Sequence, residues 1–130
     1  MSLKLYPVKT VRLTNNTAEQ DIPALWQSVA LSQDEIAYGI YNNYESDHNG
    51  EYDFTIAVEK EIAGVEPIVI DDSFYWFENF TTNRELLADT WKTIWNKSKQ
   101  GLLKRTYSLD FEKHYPDGKV EINISIQPHC

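Results

Sequence analysis

The sequence is poor in cysteine, in basic residues and in long apolar runs, and each shortage removes a class of function. Its single cysteine, Cys130, is the last of 130 residues, so no intrachain disulfide and no cysteine metal set is available. Lys and Arg number 12 against 20 Asp and Glu, a net charge of -8. The basic residues form no run, so the attraction to phosphate that dominates nucleic-acid binding is missing, and direct DNA or RNA contact is not expected. No stretch approaches the roughly 20 apolar residues that cross a bilayer, and Met1 to Pro7 lacks the apolar core of a signal peptide. The expectation is a soluble, cytoplasmic protein away from membranes. Catalytic signatures are equally scarce. There is no HExxH, no G-x-S-x-G and no glycine-rich phosphate loop, and His48, His114 and His129 show no ligand spacing. No catalytic residue, no metal and no cofactor is assigned.

Aromatic residues, by contrast, are abundant. Four Trp, eight Tyr and five Phe bring them to 13% of the chain, more than one core of this size needs, so some rings are expected to serve a ligand. The length suits a single domain spanning 1–130, able to bury a core without disulfide or metal.

The chain reads as two similar halves, 4–59 and 68–126, each strand, helix, strand, strand. Landmarks recur about 68 positions apart: Asn49-Gly50 returns as Asp117-Gly118, and Trp26 returns at Ile94-Trp95. The predicted fold is α+β, a tandem repeat of two modules sharing an antiparallel sheet, with two helices and a ligand cleft between the modules. Strand one covers about Lys4 to Leu13. The first helix is read with Asp21 as N-cap and Pro23 in its first turn, because a proline deeper in a helix loses a hydrogen bond. Glu35–Tyr44 and Glu51–Glu59 then form a hairpin across Asp47 to Gly50. In the second strand Tyr52, Phe54, Ile56 and Val58 alternate with Asp53, Thr55, Ala57 and Glu59, which predicts one buried face. Glu61–Pro67 links the halves.

Val69–Phe77 reads as the opening strand of the second half. Thr82-Asn83-Arg84-Glu85 has capping-box spacing ahead of Leu87, Trp91, Ile94 and Trp95, a helix reaching about Lys97. A last hairpin pairs Arg105–Tyr115 with Lys119–Ile126 across Pro116-Asp117-Gly118. A period of two places Tyr107, Leu109 and Phe111 on one face of its first strand and Asp110, Glu112 and His114 on the other. The segment from Asp110 to Tyr115 is the densest group of functional side chains. It suits a carboxylate at the floor of an aromatic pocket, which attracts an organic cation through Coulomb and cation–π terms while the rings cover its apolar body. Trp91, Trp95 and Trp26 also suit a core. Tyr41, Tyr44, Tyr75 and Phe77 suit a pocket wall, where a tyrosine's polar tip can face a wet cavity.

Ile22-Pro23-Ala24-Leu25-Trp26, the run from Tyr38 to Asp47 with Gly50-Glu51-Tyr52, Ser73 to Phe77, the helix with Trp91 and Trp95, and Asp110-Phe111-Glu112 before Tyr115 together resemble the GyrI-like effector-binding superfamily. Within it the chain is most similar to stand-alone effector-binding proteins of integron cassettes and to the ligand-sensing domains of AraC-type and MerR-type multidrug regulators. The resemblance implies tandem strand-helix-strand-strand modules and a cleft for amphipathic, cationic aromatic compounds around the acid of the Phe-Glu element, Glu112. Glu112, Tyr41, Tyr44, Tyr75, Phe77, Trp91, Trp95 and His114 are the candidate ligand-binding residues. Regulators of this kind carry a helix-turn-helix ahead of the module and none is seen here, so the expected role is a ligand-binding module without direct DNA contact. A homodimer or a separate regulatory partner is left open. The alternatives are a small-molecule hydrolase using Glu112 as acid or base, and a protein-interaction module of the gyrase-inhibitor type.

Overall fold

The computed structural model describes residues 2–31, 34–46, 50–71 and 76–127. Among these residues the chain forms β1 (Ser2–Leu13), α1 (Asn15–Ser28), β2 (Ala37–Asn42), β3 (Tyr52–Val58), β4 (Ile68–Asp71), β5 (Trp76–Asn83), α2 (Leu87–Lys99), β6 (Leu109–His114) and β7 (Lys119–Ile126). The fold is α+β, with one antiparallel sheet in the order β4-β1-β3-β2-β6-β7-β5. The series β1-α1-β2-β3 and β5-α2-β6-β7 have the same element order. They meet at the sheet centre, where β2 pairs antiparallel with β6 and Gly39 stands opposite Glu112.

The sheet curls. Laid flat, seven strands at ~4.8 Å spacing would hold the outer two about 29 Å apart. Yet β4 and β5, its two edges, follow each other in sequence, and the chain from Asp71 to Trp76 spans at most roughly 18 Å. Apolar side chains from both edges, Ile70 of β4 and Phe77 of β5, accordingly pack into one cluster with Leu5, Tyr38, Ile40, Leu109 and Phe111. The opposite face carries the larger core. There Phe54, Ile56, Val120, Ile122 and Ile124 meet Leu25 of α1 and Trp91 and Ile94 of α2.

One bulge lets β1 serve both cores. The register between β1 and β3 shifts between Pro7 and Lys9, and an extra residue reverses which face the following side chains take. Leu3 and Leu5 therefore join the cluster under the curl, while Val11 and Leu13 join the helix-side core.

Several sequence expectations need correction. Helix α1 starts at Asn15, not after Asp21, and holds Pro23 in its interior; Thr14 is the N-cap position and makes no side-chain cap bond. Tertiary contacts outweigh the proline there: Ala18 is buried in the core, Tyr52 Oη donates to Asn15 Oδ1 at 2.9 Å, and the Thr14 carbonyl accepts from Thr17 and Ala18. Helix α2 starts at Leu87 without a side-chain cap, because the Asn83 side chain instead accepts from Leu86 N–H at 3.0 Å in the preceding turn. The segment Val69–Phe77 is not one strand: β4 pairs with β1 and β5 with β7, at opposite edges. Strand β3 is buried on both faces, Thr55 and Ala57 included, because the curl places a second apolar cluster behind it. Strand β6 begins only at Leu109. Tyr107 precedes it with φ 53, and this backbone turn takes its ring off the Leu109 and Phe111 face.

The final hairpin closes as expected. Tyr115 N–H donates to the Lys119 carbonyl, Lys119 N–H donates to Asp117 Oδ1, and Gly118 takes the positive φ of 97 that the tight turn requires. Asp47, His48 and Asn49 of the first hairpin turn, Ser73 to Tyr75, and His129 with Cys130 lie outside the described residues. No helix among the described residues is long and apolar enough to cross a membrane.

Candidate functional site

The central β2–β6 pair sets the floor of a cavity between the two helices. In β6 a strict period of two sends Leu109 and Phe111 into the curl and leaves Asp110 and Glu112 toward the helices. In β2 the same rule sends Tyr38 and Ile40 down and Tyr41 up. Helix α1 supplies Ala18, Ile22 and Pro23 to one wall. Helix α2 supplies Leu87, Trp91 and Trp95, spaced so that they share one face, to the other. The cavity measures about 230 Å³. A dry cavity of roughly 150 Å³ holds a benzene ring, so this one, open on one side, suits one ring with substituents.

Glu112 is the buried carboxylate that lines this floor. Its side chain is 1% exposed. Oε2 accepts from Tyr41 Oη at 2.7 Å and from Trp91 Nε1 at 2.6 Å, and Oε1 lies 2.8 Å from His114 Nε2. An indole N–H can only donate, and the tyrosine hydroxyl does so here, so these groups suit a carboxylate that acts as acceptor. No Lys or Arg among the described residues pairs with it; His114 is its one ion-pair partner there. Around it the rings form a connected wall: Tyr41 lies 5.1 Å from Trp91 and 4.9 Å from Phe54, and Trp91 lies 6.4 Å from Trp95, between centroids.

A second buried carboxylate, Asp110, is fully partnered. Oδ2 accepts from Arg105 Nη2 at 2.8 Å and from Tyr44 Oη at 2.5 Å, and Oδ1 accepts from the Ser125 backbone N–H and hydroxyl. These contacts shape the titration of their neighbours. Burial, then the adjacent charge of Glu112, pushes the Tyr41 hydroxyl well above the usual tyrosine value. Burial, then the charge of Asp110, does the same to Tyr44. For Arg105 burial pulls down, but the Asp110 carboxylate outweighs it and the guanidinium is held above its ordinary value.

The structure thus gathers Glu112, Tyr41, Tyr44, Trp91 and Trp95 around one cavity. His114 stands behind Glu112 with its ring tilted against Trp26, 4.7 Å between centroids, and is not part of the lining. Phe77 lies away from the cavity. It packs edge-on against Phe111 in the cluster on the other face, because its place in β5 points into the curl. Tyr75 lies outside the described residues. The pattern did not single out Tyr52, Arg105 and Tyr107, which also line the cavity. For Tyr52 a signal existed, a polar-tipped ring on the buried side of β3. Arg105 and Tyr107 precede β6 in an irregular segment, where the period of two read through Tyr107 does not hold. Among the described residues no group of His, Cys, Asp and Glu could hold a metal ion.

Comparison with known proteins places this geometry in context. Residues 9–126 match the Cass2 family, integron-associated effector binding proteins. The Bacillus subtilis (strain 168) protein named "Putative transcriptional regulator protein YobU" is 31% identical over 139 residues, covering 91% of this chain and 86% of that protein. The crystal structure of the integron cassette protein VCH_CASS2, from the mobile metagenome of Vibrio cholerae, superposes with a TM-score of 0.79 over 97% of this chain and 91% of that one. At 23% identity it establishes the shared fold.

Proposed function

Because this chain belongs to the family of integron-associated effector-binding proteins, a small-molecule-binding family, we propose that its ligand is an amphipathic organic cation bound between α1 and α2 with its positive group at Glu112. One observation carries this reading: Glu112 is a buried carboxylate, held by Tyr41, Trp91 and His114, at the floor of a cavity walled mainly by apolar and aromatic side chains, with Asn15, Glu19, Lys92 and Arg105 as the other polar residues of its lining. A buried charge is costly unless paired. The Tyr41 and Trp91 donors are neutral and His114 is the one ion-pair partner of Glu112 among the described residues, so a cation entering the cavity supplies further countercharge. The faces of Tyr41, Trp91 and Trp95 add cation–π attraction, on the order of 2 kcal/mol where water is excluded. The apolar wall of α1 covers the remainder of the ligand.

The name of the Bacillus relative extends the reading to ligand sensing in gene regulation. With a net charge of -8 the protein offers no general attraction to phosphate, so we assign the regulatory output to a separate partner protein.

The test pairs two molecules of the same shape, 4-isopropylbenzyl-trimethylammonium and its neutral isostere with carbon in place of the ammonium nitrogen. Trp91 and Trp95 in the wall give an intrinsic fluorescence signal. We expect the wild type to bind the cation at least tenfold more tightly, a difference of about 1.4 kcal/mol. In Glu112→Gln the two affinities should converge, with the neutral isostere retained. Equal binding of both by the wild type, or an equal loss of both in the variant, would remove the charge-based reading.

A further inference from the structure

The Glu112 carboxylate is held from two sides. Oε2 accepts from Tyr41 and Trp91, which line the cavity, whereas Oε1 lies 2.8 Å from Nε2 of His114, which does not line it. His114 stands two positions beyond Glu112 in β6, so the period of two puts both on the helix side of the sheet. The other ring nitrogen, Nδ1, makes no hydrogen bond among the described residues and is not shut off from water, and the side chain keeps 13% exposure. His114 can thus exchange a proton with solvent by a route separate from the cavity that a ligand enters.

The surroundings leave the imidazole as the group whose charge can change beside Glu112. Across the sheet His114 faces apolar residues, Ala37 of β2 and Val120 of β7. Helix α1 presents the Trp26 ring to it, and α2 presents Trp91, whose indole holds Glu112. Glu112 is the one charged group bonded to His114 among the described residues. Of the other charged groups at the cavity, Arg105 is paired with Asp110, and Glu19 and Lys92 are exposed on the helices. Burial first, and the Glu112 charge after it, keep the Tyr41 and Tyr52 hydroxyls protonated above the ordinary tyrosine range. Histidine is the side chain that ordinarily changes charge between about pH 5 and pH 8.

We propose that His114 is a positioning residue whose charge sets the affinity for the ligand: its imidazolium is the built-in counterion of Glu112, and a bound organic cation replaces it by driving one proton from His114 to water. This rests on the cation reading of Glu112. While His114 is charged, an incoming cation joins a pair that is already neutral and meets a like charge in a site largely shielded from water. Once Nδ1 has released its proton, with the bonding electrons staying on the ring, the neutral imidazole still donates Nε2–H to Oε1. The geometry of Glu112 is then kept while its charge is left to the ligand. The coupling is reciprocal, so the cation weakens proton binding by the factor by which the proton weakens cation binding.

The experiment follows binding of 4-isopropylbenzyl-trimethylammonium and of its neutral isostere by titration calorimetry, in buffers of different ionisation heat. We expect the wild type to bind the cation about tenfold more weakly at about pH 5 than at about pH 8. Between these limits binding of the cation should release a proton, and the isostere should show neither effect. In His114→Gln, whose amide can still donate to Glu112, affinity for the cation at the acid end should rise to the wild-type value at the alkaline end, and proton release should vanish. Loss of a merely structural residue would not produce that gain. A flat wild-type profile, with preference for the cation retained, would overturn the proposal and leave the cation reading standing. A pH dependence that persists in His114→Gln would overturn it too. Equal binding of cation and isostere throughout the range would remove both readings. If His114→Gln does not fold, nuclear magnetic resonance of the wild-type His114 ring decides: its titration midpoint should fall when the cation saturates the protein, and an unmoved midpoint would overturn the proposal.

Discussion

Opposite Glu112 in the central strand pair stands Gly39, and a methyl group there would come 2.9 Å from Phe54 Cε1 and 3.3 Å from Glu112 Oε1. The missing side chain is what lets an aromatic ring and a carboxylate share the floor of the cavity. Gly39→Ala is therefore expected to lower stability by about 1–3 kcal/mol through overpacking and to weaken binding of the isopropyl cation by displacing Glu112. Urea denaturation and the fluorescence titration would read the two effects, and an unchanged urea midpoint would show that Phe54 has room to move. At this scale the sequence was informative where a strand was regular. Because β6 has no bulge, counting by two put Glu112 on the face opposite Phe111, and the structure shows that face to be the helix side. The same counting failed at Tyr107, where φ 53 breaks the strand, and no pattern of neighbours marks Arg105 as the buried partner of an aspartate five positions on.

Helix α1 shows where element-level rules stop. Proline in a helix interior removes the bond that the carbonyl four residues earlier would accept, here that of Glu19, and local rules therefore favour a start near Asp21. The helix nonetheless begins at Asn15, because burying Ala18 and bonding Asn15 to Tyr52 need its first turns in place. The proline is thus a local cost, offset by packing. We expect Pro23→Ala to raise stability by about 2–3 kcal/mol: roughly 3 regained from the interior site, less up to about 1 for the freer unfolded chain. Thermal unfolding with far-ultraviolet dichroism measures this, and a destabilised variant would mean that the helix is bent to the proline's shape. Helix α2 was legible because its apolar residues recur at helical spacing. Its start was misplaced because Asn83 bonds within the preceding turn. The split of Val69–Phe77 into β4 and β5 was invisible, since both pieces are equally rich in strand-forming residues and only the curl assigns them to different edges.

Across the whole molecule, tyrosine hydroxyls repeatedly donate to carboxylates: Tyr38 to Glu59, Tyr41 to Glu112, Tyr44 to Asp110 and Tyr115 to Glu121. Burial is the largest cause of the raised values of Tyr38, Tyr41 and Tyr44, followed for each by its carboxylate partner, whereas the half-buried Tyr115 is pushed up to about 12 mainly by its bond to Glu121. Unfolded tyrosines lose their proton near pH 10, and these buried ones hold it to higher pH. Their contribution is thus complete below about pH 10 and is lost above it, at about 1.4 kcal/mol per pH unit for each buried group. The urea midpoint should fall steeply in that range, with tyrosinate absorbance appearing together with unfolding; early titration in the folded protein would contradict it. The sequence by itself determined the α+β class, the paired strand-helix-strand-strand order, the final hairpin and that Glu112 and Phe111 lie on opposite faces of β6, because periodicity and turn chemistry are local and survive without knowledge of neighbours. Only the tertiary structure decided that the sheet curls, that Phe77 faces away from the cavity, that β3 is buried twice, and that Arg105 meets Asp110 beside the cavity. Those outcomes depend on which distant surfaces are removed from water together, a free energy that no window of sequence contains.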